Sequence, residues 1–186
     1  MESKLENLLL EKRFSDLSYQ EKEYVLSKVS ESEYSKYRLL LISSNMHGQI
    51  EKYKSNGHFF FMTKNELSVV CNAPKKGLGV FIVYALKDGR IELIYVGAGG
   101  KINQNGTVNS QDGGLFESIV NGRQFDEPRH KSWKQKLISE KIEALDVYWY
   151  ETMDKKHSDI PSAVEGRILQ DFYSINEVLP PWNLEF

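Results

Sequence analysis

The stretch Gly79-Val80-Phe81-Ile82-Val83-Tyr84-Ala85-Leu86-Lys87-Asp88-Gly89-Arg90-Ile91-Glu92-Leu93-Ile94-Tyr95-Val96-Gly97 decides the fold. Its first eight residues form an unbroken apolar run rich in β-branched and aromatic side chains, the composition of a buried strand. Lys87-Asp88-Gly89-Arg90 interrupts the run, and Asp-Gly is a strong signal for a tight hairpin turn. Ile91 to Gly97 then reads as the return strand. An isolated two-stranded hairpin is marginal in water, so the rest of the chain must supply further strands or helices to cover it.

Downstream, residues 98–114 are dominated by Gly, Asn, Gln, Ser and Asp and read as a long loop. Leu115 to Val120 reads as a short helix ended by Asn121-Gly122, and Ser132 to Ile142 as a second helix. Ala144 to Thr152 has the composition of a third strand. Pro161 is placed to open a helix reaching about Ile175, and Pro180-Pro181-Trp182-Asn183 follows it. Upstream, Leu5, Leu8 and Leu9 recur at helical spacing. Ser18-x-x-Glu21 and Ser30-x-x-Glu33 are capping-box patterns that open further helices, while Gly48 and Ser55-Asn56-Gly57 are breakers. The expected class is α+β. A small three-stranded antiparallel sheet flanked by helices occupies 71–186, and residues 1–70 form a helical extension.

The chain has 186 residues, of which 40% are hydrophobic and 27% charged, in the range of folded domains rather than disordered ones. With 24 Lys and Arg against 26 Asp and Glu, its formal charge is -2. That removes overall basicity as an argument for nucleic acid, although a basic face can sit on a neutral chain. A single cysteine, Cys71, excludes an internal disulfide framework and a cysteine zinc site, and reads as a small buried hydrophobe. Neither a membrane-length apolar run nor a signal-peptide pattern is present, so the expected location is the cytoplasm, without a membrane partner.

The order hairpin, loop, helix, strand, helix, tail resembles the GIY-YIG nuclease family. Gly79-Val80-Phe81 resembles the first signature of that family and Tyr95-Val96-Gly97 the second. Glu165 lies in the helix after the third strand, where the family carries its metal-binding glutamate. Asn183, in Pro-Trp-Asn, resembles the asparagine that ends the motif set. The resemblance implies a metal-dependent endonuclease acting on double-stranded DNA, with Mg²⁺, or Mn²⁺ in its place, on Glu165.

Two departures from the pattern carry weight. Phe81 stands where the first signature has a tyrosine, and a phenyl ring relays no proton. Tyr84 is the substitute if the register is Ile82-Val83-Tyr84, yet positions 81 and 84 face opposite sides of a regular strand. A β-bulge near 82–83 would reconcile the two. The helix at 115–120 also lacks the family's arginine, which leaves Arg123 as the expected cation at the phosphoryl centre. The implied catalytic set is therefore Tyr84 or Tyr95 at the attacking water, with Arg123, Glu165 and Asn183.

Each residue also has a structural reading. Glu165 shares a helical face with Ile168, Leu169 and Phe172, and is either a metal ligand or the closing residue of a capping box, Ser162-x-x-Glu165. Asn183 either orients site groups or belongs to a tail pinned by Trp182. The densest basic segment holds Arg129, His130, Lys131 and Lys134, and with Lys101 it is either a DNA-phosphate patch or a solvated face. Residues 1–70 would serve recognition or dimerisation, as in a restriction enzyme that cuts both strands as a homodimer. A catalytically inactive nucleic-acid-binding module and a protein-interaction domain are the competing readings.

Overall fold

The computed structural model describes residues 49–88, 90–109 and 114–186. The helices expected over 5–42 lie outside them. In chain order the elements are β1 (Asn56–Phe61), α1 (Leu67–Val70), β2 (Leu78–Lys87), β3 (Arg90–Gly99), β4 (Lys101–Ile102), β5 (Val108–Asn109), α2 (Leu115–Asn121), β6 (Arg123–Gln124), β7 (Glu127–Pro128), α3 (Arg129–Ser139), β8 (Ala144–Met153) and α4 (Pro161–Asn176).

The main sheet has four strands, not the expected three, in the order β1-β8-β2-β3, all neighbours antiparallel. The added strand, β1, falls inside the stretch read as a helical extension. It pairs with β8 from Asn56 opposite Tyr150 to Phe61 opposite Leu145. Phe59 and Phe61 point into the core and Phe60 outward, the alternation of an edge strand with one covered face.

Two apolar layers cover the sheet. On one face Phe81, Val83 and Ala85 of β2 pack with Leu115, Ile119 and Val120 of α2, Trp133 and Leu137 of α3, and Trp182 of the tail. On the other, Val80 and Ile82 pack with Val164, Ile168, Leu169 and Phe172 of α4 and with Ile50 and Tyr53. The period-2 alternation of β2 thus feeds both layers, which explains why its sequence reads as continuously apolar. Cys71 is buried in the first layer, where desolvation pushes its thiol up to about 11.

The hairpin register is irregular at one point. Val83 lies opposite Tyr95, but Tyr84 lies opposite Leu93, so Ile94 is the extra residue of a bulge on β3. Adjacent Ile94 and Tyr95 consequently pack on the same layer, while Leu93 and Val96 belong to the other. The bulge expected at 82–83 of β2 therefore sits on the opposite strand. From Gly79 to Leu86, β2 runs in unbroken register against β8, and Tyr84 stays on the face away from Phe81.

Candidate active site

The bulge turns Tyr95 toward Arg129, the first residue of α3. Arg129 Nη2 donates to Tyr95 Oη at 2.7 Å. The guanidinium carbon lies 5.3 Å from the Phe81 ring centre and 5.2 Å from that of Tyr95. Arg129 Nη1 donates to the Ser118 carbonyl, and Nε to Gln124 Oε1 at 3.3 Å. Arg129 is only 8% exposed, and burying a cation is costly unless it is paired or hydrogen-bonded. Three hydrogen bonds and two aromatic faces offset that cost here. The positive end of the α3 dipole adds to the guanidinium, so the position suits an anion.

Two glycines of the β2–β3 hairpin sit at close approaches. A Cβ on Gly97 would lie 2.6 Å from Phe81 Cζ and 2.8 Å from Tyr95 Cε1, so only a bare backbone lets both rings sit where Arg129 meets them. A Cβ on Gly79 would overlap the Tyr150 carbonyl oxygen across the sheet.

The C-terminal tail closes the outer edge of β3. Trp182 N–H donates to the Ile94 carbonyl at 2.8 Å. The Asn183 side chain then imitates a neighbouring strand. Its Oδ1 accepts from Val96 N–H at 2.9 Å and its Nδ2 donates to the Val96 carbonyl at 2.9 Å. The two anchor points flank Tyr95: Trp182 holds Ile94 on one side of it and Asn183 holds Val96 on the other.

Tyr95, Gln124, Glu165 and Asn183 line one cleft of about 260 Å³ together with residues 184–186 of the tail. Glu165 does not close a capping box. Helix α4 begins at Pro161 after Ile160, with no side-chain cap, and Ser162 lies inside the first turn. No donor among the described residues is hydrogen-bonded to the Glu165 carboxylate. Its burial pushes the group up to about 7, against the opposing pull of the Arg129 guanidinium.

The remaining sequence-predicted residues separate. Tyr84 is on the other sheet face, where burial pushes its phenol well above the usual tyrosine range, with Tyr150, Tyr148 and Asp146 adding in that direction. Arg123 does not line the cleft; its guanidinium is turned back onto the Asp126 carbonyl within the β6–β7 hairpin. Lys134 pairs with Glu66 at 2.7 Å, and His130 Nδ1 lies 3.4 Å from the Val120 carbonyl. Lys101 and Lys131 are exposed. Arg129, placed in the basic phosphate-contact segment and second to Arg123 as the site cation, is the cation bonded to Tyr95. Gln124 carried no sequence signal at all.

Among the described residues no group of three or more His, Cys, Asp or Glu side chains converges to hold a metal. The cleft lining holds, among the described residues, two carboxylates, the partly desolvated Glu165 and the exposed Glu185. That suits a hard cation which keeps most of its water and takes its other ligands from a phosphate. Among the described residues no helix is long and apolar enough to cross a membrane. No protein-family model matches the chain, and neither a curated protein nor a solved structure does at a significant level.

Proposed function

We propose that the chain is a metal-dependent DNA endonuclease of the GIY-YIG type that hydrolyses backbone phosphodiesters. The observation that carries this reading is that Tyr95, Glu165 and Asn183, from β3, α4 and the tail, line one cleft, with the Arg129 guanidinium bonded to the Tyr95 hydroxyl. In it, a scissile phosphate enters the cleft at the Tyr95 hydroxyl, which the Arg129 guanidinium holds. Tyr95 accepts a hydrogen bond from Arg129, so its own hydroxyl hydrogen is left to orient the attacking water or a phosphate oxygen. Attack forms the new P–O bond in line with the departing 3′ oxygen, and Arg129 offsets the charge that gathers on the phosphoryl oxygens. Glu165 would hold Mg²⁺, or Mn²⁺, which when bound supplies Lewis-acid stabilisation of the leaving oxygen. Exposed Lys101 and Lys131 would make salt-dependent phosphate contacts along a duplex. Residues 1–70, of which 56–61 belong to the sheet, would add recognition or dimerisation.

One observation favours a second reading, a binding module that does not cut. Phe81 is fully buried beneath Arg129 and offers no phenol at the first signature position. Incubation with supercoiled plasmid of mixed sequence in Mg²⁺, Mn²⁺ or EDTA separates the two. The nuclease reading predicts nicking in either metal and none in EDTA. Duplex affinity that weakens with salt, without nicking, would leave the binding module.

A further inference from the structure

We infer that Gln124 is the positioning residue of this site: it fixes the plane of the Arg129 guanidinium and links it to the docked C-terminal tail. Its side-chain amide holds three separate parts of the fold together. Oε1 accepts from Arg129 Nε at 3.3 Å and from Trp133 Nε1 at 2.8 Å, while Nε2 donates to the Trp182 carbonyl at 3.0 Å. Trp133 is wholly buried in the core, so the indole N–H gives Gln124 Oε1 a rigid reference point. The donated bond to Trp182 settles which end of the amide faces which partner, because an indole N–H and an Arg Nε–H both require the oxygen and the Trp182 carbonyl requires the nitrogen.

The consequence is directional. Arg129 spends Nη2 on Tyr95 and Nη1 on Ser118, and a guanidinium held at these two ends can still pivot about the line between them. The Nε bond to Gln124 removes that freedom. The same amide clips Trp182, whose own N–H is bonded to Ile94 at the bulge that aims Tyr95. Tail docking, bulge and guanidinium therefore form one closed loop of hydrogen bonds through Gln124. The side chain needs no contact with the reacting atoms to act.

The inference rests on the nuclease reading for its kinetic arm alone; the geometric arm stands without it. Gln124→Met keeps the length of the side chain and removes its hydrogen bonds, whereas Gln124→Glu keeps the acceptor and removes the donor. In ¹⁵N-correlated NMR spectra the Arg129 Nε–Hε signal, assigned by its loss in Arg129→Lys, should exchange with solvent at least about tenfold faster in Gln124→Met than in the unaltered protein, and Gln124→Glu should restore its protection. Where the unaltered protein nicks DNA, Gln124→Met should lower kcat at least about tenfold with little change in KM, and should cost nothing further in an Arg129→Lys background. Unchanged Arg129 protection in Gln124→Met overturns the inference, as does a loss that simply adds to that of Arg129→Lys. If the unaltered protein does not nick while Arg129 protection depends on Gln124 as stated, the nuclease reading fails and the positioning role stands.

Discussion

Arg129 Nη2 and Tyr95 Oη are joined by a 2.7 Å hydrogen bond although 34 residues separate them in the chain. The bond links the first residue of a helix to a β-bulge on an edge strand, and the functional account depends on it. Tyr95→Phe removes the oxygen and keeps the ring, so the aromatic packing over Gly97 survives. The expected result is a nicking rate lower by a factor on the order of 10²–10⁴, the usual weight of a proton-handling group. The melting temperature should fall far less than in Arg129→Ala, which also leaves the Ser118 carbonyl without its donor. Arg129→Lys should be nearly as inactive as Arg129→Ala, because an ammonium cannot reach the Tyr95, Ser118 and Gln124 acceptors from one planar fork.

The Glu165 carboxyl yields a pH prediction for the metal-free protein. Burial raises it from 4.5 in the unfolded chain to about 7 in the fold. A folded-state value above the unfolded one means that its contribution is complete below about pH 4.5 and is lost as pH rises through about 7. The loss is on the order of 2–3 kcal/mol. Glu165→Gln cannot ionise. In EDTA it should match the unaltered protein at pH 5 and melt at a higher temperature at pH 8. A lower melting temperature for Glu165→Gln at pH 8 would show that the carboxylate is not desolvated in the cleft.

Gly97 and Gly79 should respond differently to alanine. At Gly97 the new methyl would lie 2.6 Å from Phe81 Cζ and 2.8 Å from Tyr95 Cε1, so both rings must shift. Overpacking of this kind costs about 1–3 kcal/mol. Gly97→Ala should therefore stay folded and lose activity, since the displaced rings are those that hold Arg129. At Gly79 the methyl meets backbone of β8, which has nowhere to go. Gly79→Ala should fail to fold, as judged by circular dichroism and solubility.

Much of the scaffold was legible, and the exceptions have physical causes. The β2–β3 hairpin, β8, α2 and α4 announce themselves through Asp88-Gly89, an aromatic β-branched run, Asn121-Gly122 and Pro161. Strand β1 was hidden because Ser55-Asn56-Gly57 reads as a breaker, although His58-Phe59-Phe60-Phe61 behind it has strand composition. Tyr95 and Glu165 were singled out through the resemblance, and both line the one cleft. The partnership of Arg129 with Tyr95 was not legible. Arg129 is returned to the site by the β6–β7 hairpin, whose turn puts Phe125 and Asp126 at positive φ, 54° and 63°. Phe125 at positive φ is no turn signal, and Asp126 without a following glycine is a weak one. Arg123 looked better placed only because it is nearer to α2 along the chain. The bulge at Ile94 is equally silent, since both of its neighbours are apolar residues that suit a regular strand.

Asn183 tests the tail. Its two bonds to Val96 replace a missing neighbour strand, so Asn183→Ala leaves an N–H and a carbonyl unpaired at a partly buried edge. The expected cost is about 1–3 kcal/mol. Asn183→Asp should be no better, because its second oxygen would face the Val96 carbonyl. Hydrogen exchange at the Val96 amide should accelerate in both variants, along with proteolysis of residues 180–186.

The central claim is that the cleft between Tyr95 and Glu165 hydrolyses phosphodiesters with a metal held by Glu165. The measurement that meets it most directly is plasmid nicking in Mg²⁺ by the unaltered protein and by Glu165→Ala, each verified as folded by its melting curve. The account predicts nicked circles with the first protein and at least about a hundredfold fewer with the second. Equal nicking by both proteins, or none by the unaltered protein in either Mg²⁺ or Mn²⁺, would contradict it.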